Sequence, residues 1–150
     1  MIKEKWYSYA AIRFTRPQVI FVLENIYTMR EGIWPSNPKD SGYIDTTVVN
    51  RPQYTKGAGF ERACEIGAEV WVRLQACRAG GAKFNNGNYR SGVDGELLEF
   101  QSTWGRSDED LSREYGMSEV DVRARIATAL RYCSGKDRRP YSYAEYKRRR

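Results

Sequence analysis

Hydrophobic residues near the C-terminal end of the chain recur at helical spacing in two short runs, which are separated by Gly116-Met117. Each run opens with a serine, Ser107 or Ser118, that is followed three residues later by an aspartate. A serine in this position accepts hydrogen bonds from first-turn N–H groups, and the acid suits the positive end of the helix dipole. The hydrophobic positions are Leu111, Tyr115, Val120, Val122, Ile126, Ala129, Leu130 and Cys133. The pattern predicts a helix-turn-helix over residues 107–133.

The second helix of this pair has an outer face rich in arginine. If Val122, Ile126 and Cys133 pack inward, the helical period turns the opposite side of the helix toward solvent. Arginine can form two hydrogen bonds to a guanine edge, and small side chains allow close approach to a DNA major groove. The predicted DNA-binding residues are Ser118, Glu119, Arg123, Arg125, Thr128 and Arg131. The alternative is a plain α-helical hairpin whose arginines are solvated and form weak, exposed ion pairs.

Two of the upstream helices are predicted, one from its capping residues and one from the spacing of its apolar residues. The sequence Thr15-Arg-Pro-Gln supplies a capping residue, a first-turn proline and a glutamine that completes a capping box. It is followed by a wide apolar face, so a helix is predicted over 15–31. A second helix is predicted over 94–103, where the apolar residues are Leu97, Leu98 and Phe100.

The clearest amphipathic pattern in the chain predicts a helix over 60–78, which ends before Gly80-Gly81. Its apolar stripe consists of Phe60, Ala63, Cys64, Gly67, Val70, Trp71, Leu74 and Cys77. The stripe suits either the core of the protein or a dimer seam. We favour the core, because a small chain has few other stripes with which to cover helix 15–31.

Two long loops separate these helices. The segment 33–59 is rich in Pro, Gly, Ser and Asn, with Thr-Thr-Val-Val as a candidate short strand, and 79–95 contains Asn86-Gly87, which suits a small hairpin. Connections of this length are unusual in a compact domain unless they are functional or ordered by a partner. The expected fold class is all-α: a small helical domain with a C-terminal helix-turn-helix and long irregular loops.

We divide the chain into a helical N-terminal part over 1–104, the helix-turn-helix over 105–135 and a basic tail over 136–150. The tail holds seven basic and two acidic side chains, so that +5 of the formal net charge of +6 lies there. Such a tail suits contact with DNA phosphates, for which we propose Lys136, Arg138 and Arg139. The alternative is a segment that serves only solubility or is disordered.

Catalytic and metal-binding chemistry is poorly represented. The chain contains no histidine and no glycine-rich phosphate loop. Glu61, Glu65 and Glu69 share one helix face, which admits a two-metal nuclease. Their spacing beside Arg62 and Arg73 instead favours the solvated face of an amphipathic helix. The aromatic residues of the N-terminus (Trp6, Tyr7, Tyr9 and Phe14) suit base stacking or, more commonly, packing. We expect no enzyme, no cofactor and no metal.

Localisation and redox state follow from what the sequence lacks. No apolar run approaches the length of a membrane span, and the first residues contain no signal-peptide segment, so a cytoplasmic protein without membrane contact is expected. The three cysteines, Cys64, Cys77 and Cys133, lie on apolar helix faces and are expected to be reduced thiols in the core.

The run LSREYGMSEVDVRARIATALRY resembles the helix-turn-helix of sigma factor region four, in which a Gly-apolar-Ser turn precedes V-R-x-x-I-x-x-A-L. The layout is similar to phage late-gene transcription regulators and antiterminators of the ArpU/RinA/Q type, including an E-x-x-x-R-L motif at Glu69–Leu74. The resemblance implies Ser118 to Arg131 as recognition helix, double-stranded DNA at a phage promoter as ligand, and host RNA polymerase or sigma factor as partner.

The sequence thus predicts a sequence-specific DNA-binding transcription regulator in the cytoplasm of a bacterial host, as a monomer or homodimer. Two alternatives stay open. One is a DNA-packaging recognition subunit, similar to a small terminase, in which the 60–78 stripe builds a ring. The other is a module that binds RNA polymerase through its long helix and does not contact DNA.

Overall fold

The computed structural model describes residues 6–37, 58–83, 91–135 and 143–149. All regular elements in these ranges are helical, which confirms the all-α fold class. A short 3₁₀ turn at Tyr9–Ala11 precedes the first α-helix. The α-helices of the described ranges are α1 (Arg16–Glu24), α2 (Ile26–Arg30), α3 (Ala58–Lys83), α4 (Ser91–Ser102), α5 (Asp108–Tyr115), α6 (Glu119–Ser134) and α7 (Tyr143–Arg149).

The predicted single helix over 15–31 is wrong, because the structure divides it at Asn25 into α1 and α2. The beginning is as expected: the Thr15 side chain accepts from the Gln18 backbone N–H, and the Gln18 side chain completes the capping box. At Asn25 the side-chain amide donates to the Phe21 carbonyl at 2.9 Å, and the backbone N–H donates to Val22. Asparagine competes in this way for the carbonyls of a helix, and the helical path bends there.

Helix α3 is the central element, and it is longer at both ends than the predicted 60–78. Its inner face is fully covered by the rest of the chain at Ala63, Ile66, Val70, Leu74 and Cys77. The stripe therefore forms core within one chain, as we favoured over a dimer seam. Phe60 departs from the prediction with 46% exposure, and its ring packs over Gly32. Gly32 has a φ of +89°, a backbone conformation that favours glycine, and a Cβ there would lie 2.2 Å from the Phe60 ring, which would have to move aside.

Helix α4 begins three residues before the predicted start and packs between α3 and α6. Leu97 and Leu98 are fully buried, as the sequence pattern indicated. Its first described turns also bury a carboxylate, Asp94, which has no exposed surface. Burial of an unpaired carboxylate is very costly, so this residue requires partners, which come from α6 and α7.

The basic segment 136–150 is not a simple tail. Its described part, 143–149, forms α7, and Tyr143 is completely buried against the body of the protein. The Tyr143 ring meets Tyr132 of α6 edge to face at 5.0 Å, and Tyr146 also contacts Tyr132 at 5.2 Å. The sequence analysis did not predict this docking, although the tyrosines within the basic segment could have indicated it. Lys136, Arg138 and Arg139 lie outside the described residues.

The N-terminal aromatic residues pack within the fold, which is the commoner of the two fates we considered. The indole N–H of Trp34 donates to the Tyr7 carbonyl at 2.8 Å, and the indole N–H of Trp6 donates to the Pro35 carbonyl at 2.9 Å. Tyr7 and Tyr9 make edge-to-face contacts with neighbouring rings at 5.5 and 5.9 Å. These rings are therefore occupied in holding the N-terminal segment on α1.

Two sequence predictions concern segments that the structure does not describe. The candidate strand Thr-Thr-Val-Val and the Asn86-Gly87 hairpin lie outside the described ranges.

The three cysteines are free thiols; Cys77 and Cys133 are buried and Cys64 is half-buried. Burial, and then the neighbouring Cys133, raise the pKa of the Cys77 thiol well above its ordinary value, so this thiol is neutral and unreactive.

Candidate nucleic-acid interface

The helix-turn-helix formed by α5 and α6 has the ends that the sequence predicts. The Ser107 hydroxyl accepts from the Asp110 N–H at 3.1 Å, and the Ser118 hydroxyl accepts from the Asp121 N–H at 3.1 Å. Between them Gly116 ends α5 with φ 66° and ψ 38°, the left-handed conformation that glycine adopts without strain. The turn is therefore tight, and its geometry is fixed by three residues.

The inner face of this pair is anchored on the rest of the protein. Leu111 of α5 and three residues of α6, Val122, Ala129 and Cys133, have no exposed surface. Val120, which the sequence pattern grouped with them, is instead 64% exposed. Val122 faces the rest of the protein, whereas Val120, in the first turn of α6, lies on the exposed side of the helix.

The opposite side of α6, called here the outer face, is uncovered along the whole helix. It consists of Glu119, Val120, Asp121, Arg123, Ala124, Ala127 and Arg131. Its centre is a row of small apolar side chains, Val120, Ala124 and Ala127, and arginines lie at Arg123 and Arg131. Such a surface allows a helix to come close to a partner while guanidinium groups reach past the row.

Within the described part of the chain, Arg123 is held by two ion pairs that are at least partly exposed. Its guanidinium lies 3.4 Å from Asp108 of α5 and 3.8 Å from Glu119, and 55% of the side chain is exposed. Exposed pairs of this kind contribute between 0 and about 1 kcal/mol, because water screens them. Arg123 can therefore exchange these carboxylates for a phosphate or a base edge at little cost.

Thr128 does not face outward as predicted. It is 8% exposed, and its hydroxyl donates to the Ala124 carbonyl at 3.1 Å within the same helix. Helix α6 packs against α1, α3, α4 and α5, so the arc it leaves open is narrower than the sequence pattern indicated. Direct contact between Thr128 and a base would require this packing to change.

Arg125 lies at the edge of α6, where we expected it, but its guanidinium pairs with a buried carboxylate of the same protein. The guanidinium is 3.1 Å from the carboxylate of Asp94, which also accepts from Lys147 at 3.1 Å and from the Tyr143 hydroxyl. Burial, together with Cys77 and Asp94, raises the pKa of Tyr143, which keeps its hydroxyl protonated as a donor. Arg125 is thus committed to a structural cluster and is a poor candidate for reading bases.

Asp94 is the most important residue that the sequence reasoning missed. It joins α4 to the edge of α6 and to α7, and it fixes the basic C-terminal helix beside the helix-turn-helix. The available signal was a single aspartate between Val93 and Leu97 in an otherwise apolar helix face. Its partners lie 31 to 53 residues away in the chain, so spacing alone could not identify them.

Arg73 is a second missed residue, since we assigned it to a solvated face. It is 6% exposed, and it donates to the Cys133 carbonyl at 2.7 Å near the C-terminal end of α6. Its guanidinium also lies 4.2 Å from the centre of the Phe14 ring and 2.8 Å from Glu69. A cation at the C-terminal end of a helix stabilises it through the dipole, so Arg73 anchors α6 from behind.

Two of the three carboxylates that admitted a nuclease form ion pairs with arginines of α3. Glu65 is 3.1 Å from Arg62, and Glu69 pairs with Arg73. Among the described residues, no group of three or more potential metal ligands is close enough together to hold an ion. None of the described helices has both the length and the apolar character needed to cross a membrane.

The charge of the helix-turn-helix is not uniformly basic. Residues 107–134 contain six acidic and four basic side chains. Four of the acids belong to α5 and its end, where they pair with Arg106, Arg113 and Arg123. The outer face of α6 holds two acids and two arginines, so the net positive charge near the pair comes from α7. No protein-family model, characterised protein or solved structure matches the chain.

Proposed function

We propose that this protein is a sequence-specific DNA-binding regulator that inserts α6 into the major groove of a duplex. The observation that carries the proposal is the exposed outer face of α6. This helix follows the tight turn at Gly116 and is packed on its other sides against neighbouring helices. The small apolar side chains of Val120, Ala124 and Ala127 form the centre of this face, and Arg123 and Arg131 lie beside them. Among the described residues, α6 packs against α1, α3, α4 and α5 on its other sides, and the residues of this side are exposed.

In the proposed complex the two arginines carry the sequence preference. A guanidinium bonded to the O6 and N7 atoms of guanine discriminates between base pairs by about 1 to 3 kcal/mol. The small central residues let the helix approach the thymine methyl groups. Glu119 and Ser118, at the start of α6, lie where the first turn of a recognition helix meets bases and backbone.

The transcriptional role rests on the resemblance of residues 111–132 to sigma factor region four. We propose that the duplex is a promoter-proximal site, and that the protein acts with host RNA polymerase as a phage late-gene activator or antiterminator. The packaging alternative required the α3 stripe to build a ring between chains. Since the centre of that stripe is buried within one chain, the described helices do not favour this alternative.

A second candidate, a polymerase-binding module without DNA contact, is favoured by two observations. The helix-turn-helix carries more acidic than basic side chains, which opposes contact with phosphates. In addition, Tyr27 and Trp104 expose about half of their surfaces, and their rings contact each other 5.7 Å apart. Exposed aromatic rings are common at protein interfaces.

Selection from a pool of random duplexes separates the two candidates. We expect repeated capture at moderate salt to enrich one sequence, which the protein then binds about a thousandfold more tightly than a scrambled duplex. Affinity is measured by fluorescence anisotropy. A pull-down from bacterial lysate, with and without nuclease, is the companion measurement. Failure to enrich any sequence, together with nuclease-resistant recovery of polymerase, would select the module instead.

A further inference from the structure

Two cations of the structure share a single carboxylate. The guanidinium of Arg125 and the ammonium of Lys147 each lie 3.1 Å from a different oxygen of Asp94. The third partner, the Tyr143 hydroxyl, is neutral. The cluster therefore carries two positive charges and one negative charge, and one positive charge is left uncompensated within it.

The uncompensated charge lies on the solvent side of the cluster. The Asp94 side chain is 1% exposed, whereas 36% of the Arg125 side chain and 23% of the Lys147 side chain are accessible. An arginine has five N–H donors and a lysine three, and Asp94 occupies only some of them. The carboxylate therefore holds the two cations from inside, and their remaining donors are available to an anion outside.

Both cations lie at the same edge of α6, beside the proposed recognition surface. Arg125 and Tyr132 are seven residues apart and lie on the same edge of α6, and both are linked to α7. A helix in the major groove has a phosphate backbone along each side. In the proposed complex, a backbone phosphate would pass along the edge of α6 where this cationic pair lies.

We propose that Arg125 and Lys147 together bind one backbone phosphate of the duplex, and that Asp94 is the positioning residue that holds them. The proposal rests on the proposed DNA-binding function and deepens it, because it adds a phosphate site outside the base-reading face. It also gives α7 a role: the helix carries Lys147 to the edge of α6, where Tyr143 fixes it. Arg125 thereby contributes to DNA affinity without contributing to sequence preference.

Salt dependence of DNA binding tests this site in the full-length protein. Each phosphate contact that is lost lowers the slope of log affinity against log salt by about 0.9. We expect Lys147→Gln to show this decrease and to weaken binding to the selected and the scrambled duplex by the same factor. Lys147→Arg retains the charge and is expected to retain the slope.

Arg62→Gln is the matched control, because it removes the same charge from a 40% exposed arginine in an ion pair on α3. It lies fifteen residues, about four helical turns, before Cys77, the residue of α3 that adjoins the Tyr143 cluster. The slope is expected to be unchanged in this variant. An unchanged slope in Lys147→Gln, or a loss confined to the selected duplex, would overturn the proposal.

A second measurement does not depend on the stability of the variant. Single phosphates of the selected duplex are replaced in turn by uncharged methylphosphonates. At one position the replacement is expected to weaken binding by the wild-type protein and to weaken binding by Lys147→Gln less, because only the Arg125 contact is then left to lose. Strictly additive effects at every position would overturn the phosphate site. A wild-type protein that binds no duplex at all would instead overturn the proposed function itself.

Discussion

Replacing Arg123 and Arg131 together by glutamate is expected to reduce affinity for the selected duplex at least about a hundredfold. Each arginine is expected to contribute about 1 to 3 kcal/mol through contacts to bases, and every 1.4 kcal/mol corresponds to a tenfold change. Reversal of charge adds repulsion from the phosphates. Both residues are exposed, and the partners of Arg123 among the described residues are at least partly exposed, so the double variant should keep its fold.

The matched control reverses two arginines elsewhere, in Arg16→Glu with Arg62→Glu. Arg16 is exposed at the first turn of α1, where an acid suits the helix dipole, and Arg62 lies in an exposed pair. Both double variants have the same net charge. Anisotropy titrations at equal salt compare them, and circular dichroism checks the fold. An equal loss of affinity in both variants would mean that net charge, and not the outer face of α6, governs binding.

The largest effect on stability is expected for Asp94→Ala, which should lower the free energy of unfolding by about 3 kcal/mol. Breaking a buried ion pair costs about 3 to 5 kcal/mol when a buried charge is left behind. The lower end applies here, because Arg125 and Lys147 are partly exposed and can regain water. The buried Tyr143 hydroxyl also loses an acceptor. Denaturant unfolding monitored by tyrosine and tryptophan fluorescence measures the change.

Two comparison variants define the cause of that loss. Asp94→Asn keeps the size of the side chain and removes its charge, so an intermediate loss is expected. Arg113→Ala breaks an ion pair that is 67% and 41% exposed on its two sides, and it should cost less than about 1 kcal/mol. Trypsin should cleave within α7 faster in Asp94→Ala than in Arg113→Ala. A loss below about 1 kcal/mol for Asp94→Ala would contradict the role of this residue as an anchor.

Local signals in the sequence were sufficient for the helix-turn-helix. The serine caps at Ser107 and Ser118 and the turn at Gly116 depend on residues within four positions of one another, and all three are present. The amphipathic stripe of α3 and the capping box of α1 were predicted for the same reason. Patterns of this kind depend on the chain near each residue and need no knowledge of the tertiary packing.

The errors in the site arise where distant segments meet. Thr128 is buried because α6 packs against several helices, and Arg125 turns inward because Asp94 and α7 lie at its edge. Arg73 is buried by contacts with Phe14 and with the C-terminal end of α6, from segments 59 and 60 residues away. A periodic pattern indicates which side of a helix is polar. It does not show whether that side meets water or a buried ion.

Amide chemical-shift mapping tests the central claim most directly. The uniformly ¹⁵N-labelled protein is titrated with the selected duplex and, separately, with a scrambled duplex of equal length. We expect the largest shifts specific to the selected duplex at the outer face of α6, centred on Arg123, Ala127 and Arg131. Perturbations confined to other surfaces, such as that of Tyr27 and Trp104, while the amides of α6 stay unchanged, would contradict α6 as the recognition helix.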